Sequence, residues 1–112
     1  MSTKGHSYAR FRRALALRNL DLIRDAAREL PRVPLDDAAA ICALVADAEP
    51  GRYDRAACRW LARYALEGRN VTLDTIYEAL GARRTMRESP ADSLVTLREL
   101  VRLHRSLEIL GR

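Results

Sequence analysis

Helix-breaking residues divide this chain into segments of helical length, and their spacing limits the folds open to it more than any other feature. The 112 residues include only five Gly and four Pro. Between these breakers, apolar residues recur at the three- and four-residue intervals of an α-helix. The sequence is also rich in Ala, Leu and Arg, which favour helix over strand. We therefore predict an all-α protein with about six helices.

The helix boundaries are predicted from capping residues and breakers. Ser89 and Pro90 are residue types preferred at an N-cap and in a first helical turn, and Asp92 completes a capping-box pattern. Gly81 is expected to end the fifth helix and to be followed by a polar connector over 82–88. The predicted helices cover 7–17, 19–30, 35–48, 52–68, 73–81 and 89–110.

The length of the chain suits one domain. A hydrophobic core of this size needs no disulfide or metal, so residues 7–112 are expected to form a single helical domain after a flexible polar lead over 1–6. No apolar run approaches the roughly 20 residues that span a bilayer, and the polar start lacks the apolar core of a signal peptide. We therefore expect a cytoplasmic protein with no membrane partner.

Residues that could support chemistry are few and scattered. Cys42 and Cys58 lie in helical segments with no second Cys or His at metal-ligand spacing, and both are expected to be small buried hydrophobes. Neither His6 nor His104 has a neighbouring Ser, Cys or acid that suggests a triad, and no glycine-rich phosphate loop is present. We therefore expect no catalysis, no metal and no cofactor.

The stretch VTLDTIYEAL, residues 71–80, is similar in outline to the first helix of a helix-turn-helix, with Gly81 at the turn. In that motif the residue four before the turn glycine is small and the residue six after it is apolar, because both pack between the two helices. These positions hold Tyr77 and Arg87, and Pro90 interrupts the place where a recognition helix would continue. The pattern therefore argues against a helix-turn-helix.

The same stretch echoes an earlier one. VPLDDAAAICAL begins at Val33 and VTLDTIYEALGA begins at Val71, and the two share V-x-L-D at an offset of 71 − 33 = 38 residues. The motif suits a helix start, because Asp36 and Asp74 would lie in a positive first turn while the Val and Leu of each copy fix the loop to the core. A helix-loop-helix unit of this period resembles the HEAT-like and TPR-like helical-hairpin repeats, which implies a short α-solenoid. A compact bundle whose loops use similar caps by accident explains the echo equally well.

The charge balance has two interpretations. The chain has 20 Lys and Arg against 15 Asp and Glu, for a net charge of +5, and every cation except Lys4 is Arg. A coding sequence rich in GC produces such an Arg excess with no binding function, whereas clustered cations favour nucleic acid.

A candidate basic surface follows from the spacing of these arginines. Four of them recur at intervals of three, four and four on the fourth helix, share one ridge, and are called the Arg ridge below. An apolar stripe that includes Tyr53 and Trp60 runs beside it, and cations next to aromatic rings suit phosphate contact and base stacking. Alternatively, the stripe is a buried face and the Arg ridge its solvated opposite. The candidate surface consists of Arg52, Arg55, Arg59 and Arg63 in the Arg ridge, with Arg83, Arg84 and Arg87 after the fifth helix.

The last helix carries a leucine face broader than a single coiled-coil seam. Such a face is either the central core element or a helix for self-association or partner docking. The candidate partner or dimer residues are Leu97, Leu100, Leu103, His104, Leu107 and Leu110.

These observations favour a non-catalytic protein–protein interaction or regulatory adaptor module. Its partner would be another protein or a second copy of the chain in a homodimer. The alternative is a basic DNA- or RNA-binding protein that uses the Arg ridge.

Overall fold

The fold is all-helical throughout the part of the chain that the computed structural model describes. This part comprises residues 3–67, 71–86 and 88–110, with side chains described for 5–67, 71–86 and 88–102. It contains six helices and no strand, which confirms the predicted fold class. The helices are α1 (Thr3–Ala16), α2 (Leu20–Ala27), α3 (Leu35–Ala48), α4 (Pro50–Glu67), α5 (Leu73–Thr85) and α6 (Pro90–Leu110).

Helices α1 and α5 each extend four residues beyond a predicted end. α1 begins at Thr3, within the stretch expected to be a polar lead, and α5 continues through Gly81 to Thr85. The prediction that Gly81 ends α5 was therefore wrong. A glycine inside a helix costs about 1 kcal/mol relative to alanine, but continuing the helix buries Ala82 and Met86, and that burial outweighs the cost. The continuous helix also removes the turn that a helix-turn-helix would need at this position.

The chain divides into two compact units, Met1–Pro34 and Leu35–Arg112. In the first unit α1 packs against α2, and Phe11 and Ile23 are buried. α2 is capped by Asn19, whose side-chain oxygen accepts a 3.2 Å hydrogen bond from a backbone N–H in the first turn. The single domain expected from the sequence stays a prediction.

The second unit is a closed arrangement of four helices. α3 packs against both α4 and α6, α5 packs against α6, and a smaller contact joins α4 to α5. Each helix of this unit therefore contacts two others, and the contact between α6 and α3 closes the arrangement. In a solenoid each repeat contacts only its neighbours, so α3 would not meet α6. The unit is accordingly a four-helix bundle, one of the two arrangements that the sequence left open.

Trp60 joins the middle of α4 to the start of α3. Its indole Nε1–H donates a 2.8 Å hydrogen bond to the Leu35 carbonyl, and the residue is 3% exposed. The ring stacks on Tyr64, with centroids 5.3 Å apart and an interplanar angle of 10°. Because burial of an indole is favourable only where its N–H finds an acceptor, this contact sets the position of α4 along α3.

Both copies of V-x-L-D lie at helix starts, since α3 begins at Leu35 and α5 at Leu73. Asp36 and Asp74 occupy the first turns, as predicted. The expectation that both leucines fix their loops to the core was wrong for Leu73, because Leu35 is buried but Leu73 is exposed. At about 100° per residue, Leu73 lies opposite Ala82, which faces the core.

Replacement of Trp60 tests the contact between α3 and α4. Trp60→Phe removes the indole donor, leaves the Leu35 carbonyl without its side-chain partner and opens a gap in the core. We expect the free energy of unfolding to fall by about 2 to 4 kcal/mol. Urea unfolding followed by circular dichroism measures the change, with Arg98→Lys at an exposed position on α6 as the control and an expected effect within about 0.5 kcal/mol. Equal stability of the two variants would contradict the role of Trp60.

Candidate functional site

Three large apolar side chains form an exposed row along α5, called the α5 stripe below. Leu73 is 74% exposed, Tyr77 is 70% exposed and Leu80 is 38% exposed. Their spacings of four and three residues place them within about 60° of one another around the helix axis. Single exposed apolar residues are common on protein surfaces, whereas a contiguous row is typical of an interaction surface.

The opposite face of α5 belongs to the core of the bundle. Ala79, Ala82 and Met86 are buried on that side. A helix that is apolar on two faces contacts the core with only one of them. The α5 stripe is therefore the second apolar face of this helix.

The start of α5 is fixed by a capping box. The Thr72 hydroxyl oxygen accepts a 3.2 Å hydrogen bond from the Thr75 N–H, and the Thr75 hydroxyl oxygen accepts a 2.9 Å bond from the Thr72 N–H. These contacts satisfy N–H groups that a first helical turn leaves unpaired. The helix is consequently ordered from Leu73, the first residue of the α5 stripe.

Polar contacts hold α5 against its neighbours on both sides. The Tyr53 hydroxyl of α4 donates a 2.6 Å hydrogen bond to the Arg83 carbonyl, and Arg83 Nη2 lies 3.3 Å from Asp54 Oδ1. On the other side, the hydroxyl oxygens of Thr85 and Ser93 are 2.8 Å apart and join α5 to α6. The α5 stripe thus lies on a helix whose position is set before any partner binds.

The two ends of the α5 stripe carry opposite charges. Asp74 lies in the first turn of α5 and Arg84 in the last turn, and both are exposed. At about 100° per residue, Arg84 continues the line of the stripe, whereas Asp74 and Glu78 lie along one edge. These charges also interact favourably with the helix dipole, because the acid lies at its positive end and the base at its negative end.

Sequence reasoning missed the α5 stripe, although the signal was present. Leu73, Tyr77 and Leu80 recur at helical spacing in the stretch VTLDTIYEAL. Because the helix was expected to end at Gly81, the buried residue Met86, which helps to define the core face, fell outside the predicted element. Without a defined core face, Leu73, Tyr77 and Leu80 could not be recognised as lying on the opposite, exposed face.

The Arg ridge lies on the solvent side of α4, and its members differ in their pairing. Arg55 and Arg59 are exposed, and neither forms an ion pair with any residue that the structure describes. Arg52 lies 3.7 Å from a glutamate carboxylate one turn earlier. Arg63 is half-buried, and its Nε donates a 2.7 Å hydrogen bond to Glu67. Among the described residues, two of the four ridge cations therefore have no ion-pair partner.

The other three candidate cations are placed differently from one another. Arg83 is half-buried and pairs with Asp54. Arg84 is exposed in line with the α5 stripe. Arg87 lies outside the described residues. Of the two described arginines in this second patch, Arg84 is thus the exposed one.

The aromatic stripe beside the Arg ridge belongs to the core. Tyr53, Ala57, Trp60 and Tyr64 are all buried. Base stacking on single-stranded nucleic acid requires exposed rings, so these rings offer no stacking platform. Of the two interpretations of this stripe, the structure shows the second, a buried face.

The leucine face of α6 is also core where its side chains are described. Leu97 and Leu100 are buried, as is Val101. Over the same part of α6 the exposed large apolar side chain is Val95. The side chains of Leu103, His104, Leu107 and Leu110 lie outside the described residues.

A small cavity lies inside the four-helix bundle. Its volume is about 10 Å³, enough for roughly one water molecule. Its walls are mostly apolar and include Cys42, Trp60 and Met86, together with Arg83. Arg83 Nε is buried without a hydrogen-bond partner among the described residues. The cavity is far smaller than the pockets that hold cofactors and metabolites.

Two further findings concern metals and membranes. Across the described ranges, no three His, Cys, Asp or Glu side chains come together in a group that could hold a metal ion. In the same part of the chain, no helix combines the length and the apolar character needed to cross a bilayer.

The two cysteines occupy different environments. Cys42 is buried in α3, with its Sγ 3.6 Å from the Ala56 carbonyl oxygen, and burial raises the pKa of this thiol to about 11. Cys58 is exposed, so the prediction that both cysteines are buried was wrong for this residue. Five residues after Tyr53, Cys58 lies about 140° around α4 from the buried aromatic face.

Thiol labelling tests this assignment. With a disulfide reagent at about pH 8, we expect Cys58 to react and Cys42 to stay protected, because the raised pKa and the burial of Cys42 keep its thiol protonated and inaccessible. Unfolding in denaturant should release the second thiol, and the Cys58→Ser variant should show no reaction in the folded state. Labelling of folded Cys42 at a rate close to that of Cys58 would be inconsistent with this core. Mass spectrometry of the peptides identifies the modified residue.

Comparison with known proteins finds no matching family model, no matching curated protein and no matching solved structure. The function is therefore inferred from the surfaces of α4 and α5 alone.

Proposed function

We propose that this protein is a non-catalytic protein–protein interaction module and that the α5 stripe is its recognition surface. The observation that carries the proposal is the exposure of Leu73, Tyr77 and Leu80 on one face of a helix whose opposite face is core. Burial of a large apolar side chain is worth about 1.5 to 3 kcal/mol. A partner that covers this row would gain that free energy.

The composition of the α5 stripe supports the proposal. Tyr77 lies at the middle of the row, and tyrosine is enriched among the residues that dominate binding energy at protein interfaces. Its ring offers a large apolar area and its hydroxyl a polar contact, at the entropic cost of two side-chain torsions. Leu73 and Leu80 flank it at one helical turn on either side, as anchors do when a helix lies in a groove.

The way α5 is held supports it as well. The contacts from Tyr53 to Arg83 and from Thr85 to Ser93 position the helix within the bundle. A partner therefore meets a surface that is already formed and loses less free energy to ordering. One tyrosine and two leucines offer apolar contact and not reactive groups. The row would therefore act by binding a partner, as a regulatory adaptor does.

Site-specific photo-cross-linking in cells that make the protein tests this function. A benzoylphenylalanine at position 77 should give a discrete protein adduct, because the α5 stripe places this side chain against the partner. The same photoreactive residue at Glu99, an exposed position on α6, is the matched control and should give no adduct of that size. Denaturing electrophoresis with mass spectrometry identifies the band.

A variant separates recognition from chance collision. Leu73→Ser with Leu80→Ser should abolish the adduct at position 77, while the melting temperature stays within a few degrees because both side chains are exposed. Cross-linking that persists in this double variant, or adducts that are equally strong from positions 77 and 99, would contradict the proposal.

A second candidate function is the binding of DNA or RNA by the Arg ridge. It is supported by the exposure of Arg55 and Arg59 without ion pairs among the described residues. Cations of this kind contact phosphates without regard to sequence. Because the aromatic stripe is buried, the binding would rest on charge alone.

Fluorescence anisotropy with a labelled duplex, at about 50 and 200 mM salt, tests this second function. If the Arg ridge binds phosphates, Arg55→Ala with Arg59→Ala should weaken binding and reduce the slope of log K against log salt by about 2. Arg13→Ala with Arg98→Ala removes the same charge from two other helices and should retain more of the affinity. Absence of binding at the lower salt concentration would rule out the nucleic-acid function.

A further inference from the structure

We infer that the α5 stripe binds the α5 stripe of a second copy of this chain, with the two helices antiparallel across a twofold axis. The inference rests on the proposed function, because it names the partner that covers the proposed recognition surface. A closed dimer is the commonest assembly of a single chain, and its interface must be self-complementary. The α5 stripe meets this requirement in shape and in charge.

The apolar positions pair with one another about such an axis. With the axis midway between Tyr77 and Leu80, each Tyr77 lies against the partner's Leu80, and the two tyrosines flank the centre. Leu73 then lies opposite the partner's Arg84, whose aliphatic stem continues the line of the stripe. Long basic side chains cover apolar surface in this way while their charged heads stay in water.

The charges select the antiparallel arrangement. Asp74 and Arg84 are exposed at opposite ends of α5, so an antiparallel pair brings each Asp74 next to the partner's Arg84 and forms two ion pairs per dimer. A parallel pair in register would instead leave Asp74 about 15 Å along the helix from the partner's Arg84, so that these ion pairs could not form. The antiparallel pair also places the positive end of each helix dipole beside the negative end of the partner's.

Gly81 is a second, independent observation at the same place. It lies in the interior of α5, where glycine weakens a helix relative to alanine. Apart from the neighbouring backbone of α5, a Cβ at this position would meet no atom of the described residues within 4 Å, so no packing contact seen among them requires the glycine. In the antiparallel pair Gly81 lies one turn before Arg84, on the edge that carries Asp74. The missing side chain leaves room there for the partner's Asp74 to approach.

Sedimentation equilibrium of the full chain, from about 1 to 500 µM, tests the inference. The wild-type chain should give a monomer–dimer equilibrium with no larger species, because a twofold interface closes. Tyr77→Ser should reduce the association constant by about tenfold or more. Arg98→Asp, an exposed charge reversal on α6, is the matched control and should leave the association constant within about threefold of the wild type.

Charge reversal and rescue test the orientation. Asp74→Arg and Arg84→Asp should each weaken the dimer by about tenfold, because each places like charges together at both ends. The double variant restores opposite charges across the axis and should recover most of the association. Double-variant association as weak as that of the single variants would overturn the antiparallel arrangement.

Substitution of Gly81 separates folding from association. Gly81→Ala should raise the melting temperature of the monomer and should not strengthen the dimer, whereas Gly81→Leu should lower the association constant at an unchanged helical content. Circular dichroism of every variant confirms that it is folded. Undiminished dimerisation of Gly81→Leu would contradict the close approach at this edge.

The two proposals fail in different ways. A wild-type chain that stays monomeric at about 500 µM overturns the self-association, and the proposed function then stands if position 77 still cross-links to a different protein in cells. Absence of both the dimer and the adduct overturns both. Dimerisation that survives Tyr77→Ser together with Leu73→Ser overturns the assignment of the dimer to this surface.

Discussion

The hydrogen bond from Trp60 to the Leu35 carbonyl is the contact on which the architecture of the second unit depends. It allows a large indole to be buried with its polar atom satisfied, and so brings the aromatic face of α4 against α3. Once that face is inside, the arginines on the other side of α4 are directed to solvent. Tyr53, on the same buried face, then reaches the Arg83 carbonyl and positions α5. The contacts of Trp60 and Tyr53 thus hold the inner face of α5 against the bundle and leave its outer face exposed.

α5 combines two roles that compete for its apolar residues. Its inner face uses small side chains, such as Ala79 and Ala82, which let the helix approach the bundle closely. Its outer face keeps larger ones, including Tyr77, in water. A chain that used this helix for stability alone would place the large residues inside, because burial of a tyrosine or leucine contributes more than burial of an alanine. The observed order supports the proposal that the outer face has a use beyond folding.

The sequence was sufficient for the fold class and for most helix starts, since these depend on local chemistry that a sequence displays directly. Both V-x-L-D motifs, for example, do begin helices at Leu35 and Leu73. It was insufficient where tertiary burial overrides a local signal, as at Gly81, where the helix continues in order to bury Met86. The site was missed for the same reason, because the exposure of Leu73 depends on which face of α5 the bundle covers. The 38-residue echo likewise reflects two similar helix starts and no more. The packing of α3 against α6 could not be predicted from it, because this contact joins residues far apart in sequence.

The measurement that tests the central claim most directly is hydrogen–deuterium exchange of the backbone amides of α5 at low and high protein concentration, about 1 and 500 µM. If another copy covers the α5 stripe, exchange in α5 should slow at the higher concentration while exchange in α2, in the first unit, stays the same. Exchange in α5 that is identical at both concentrations, or slowing that is confined to other helices, would contradict the claim that this face is a self-association surface.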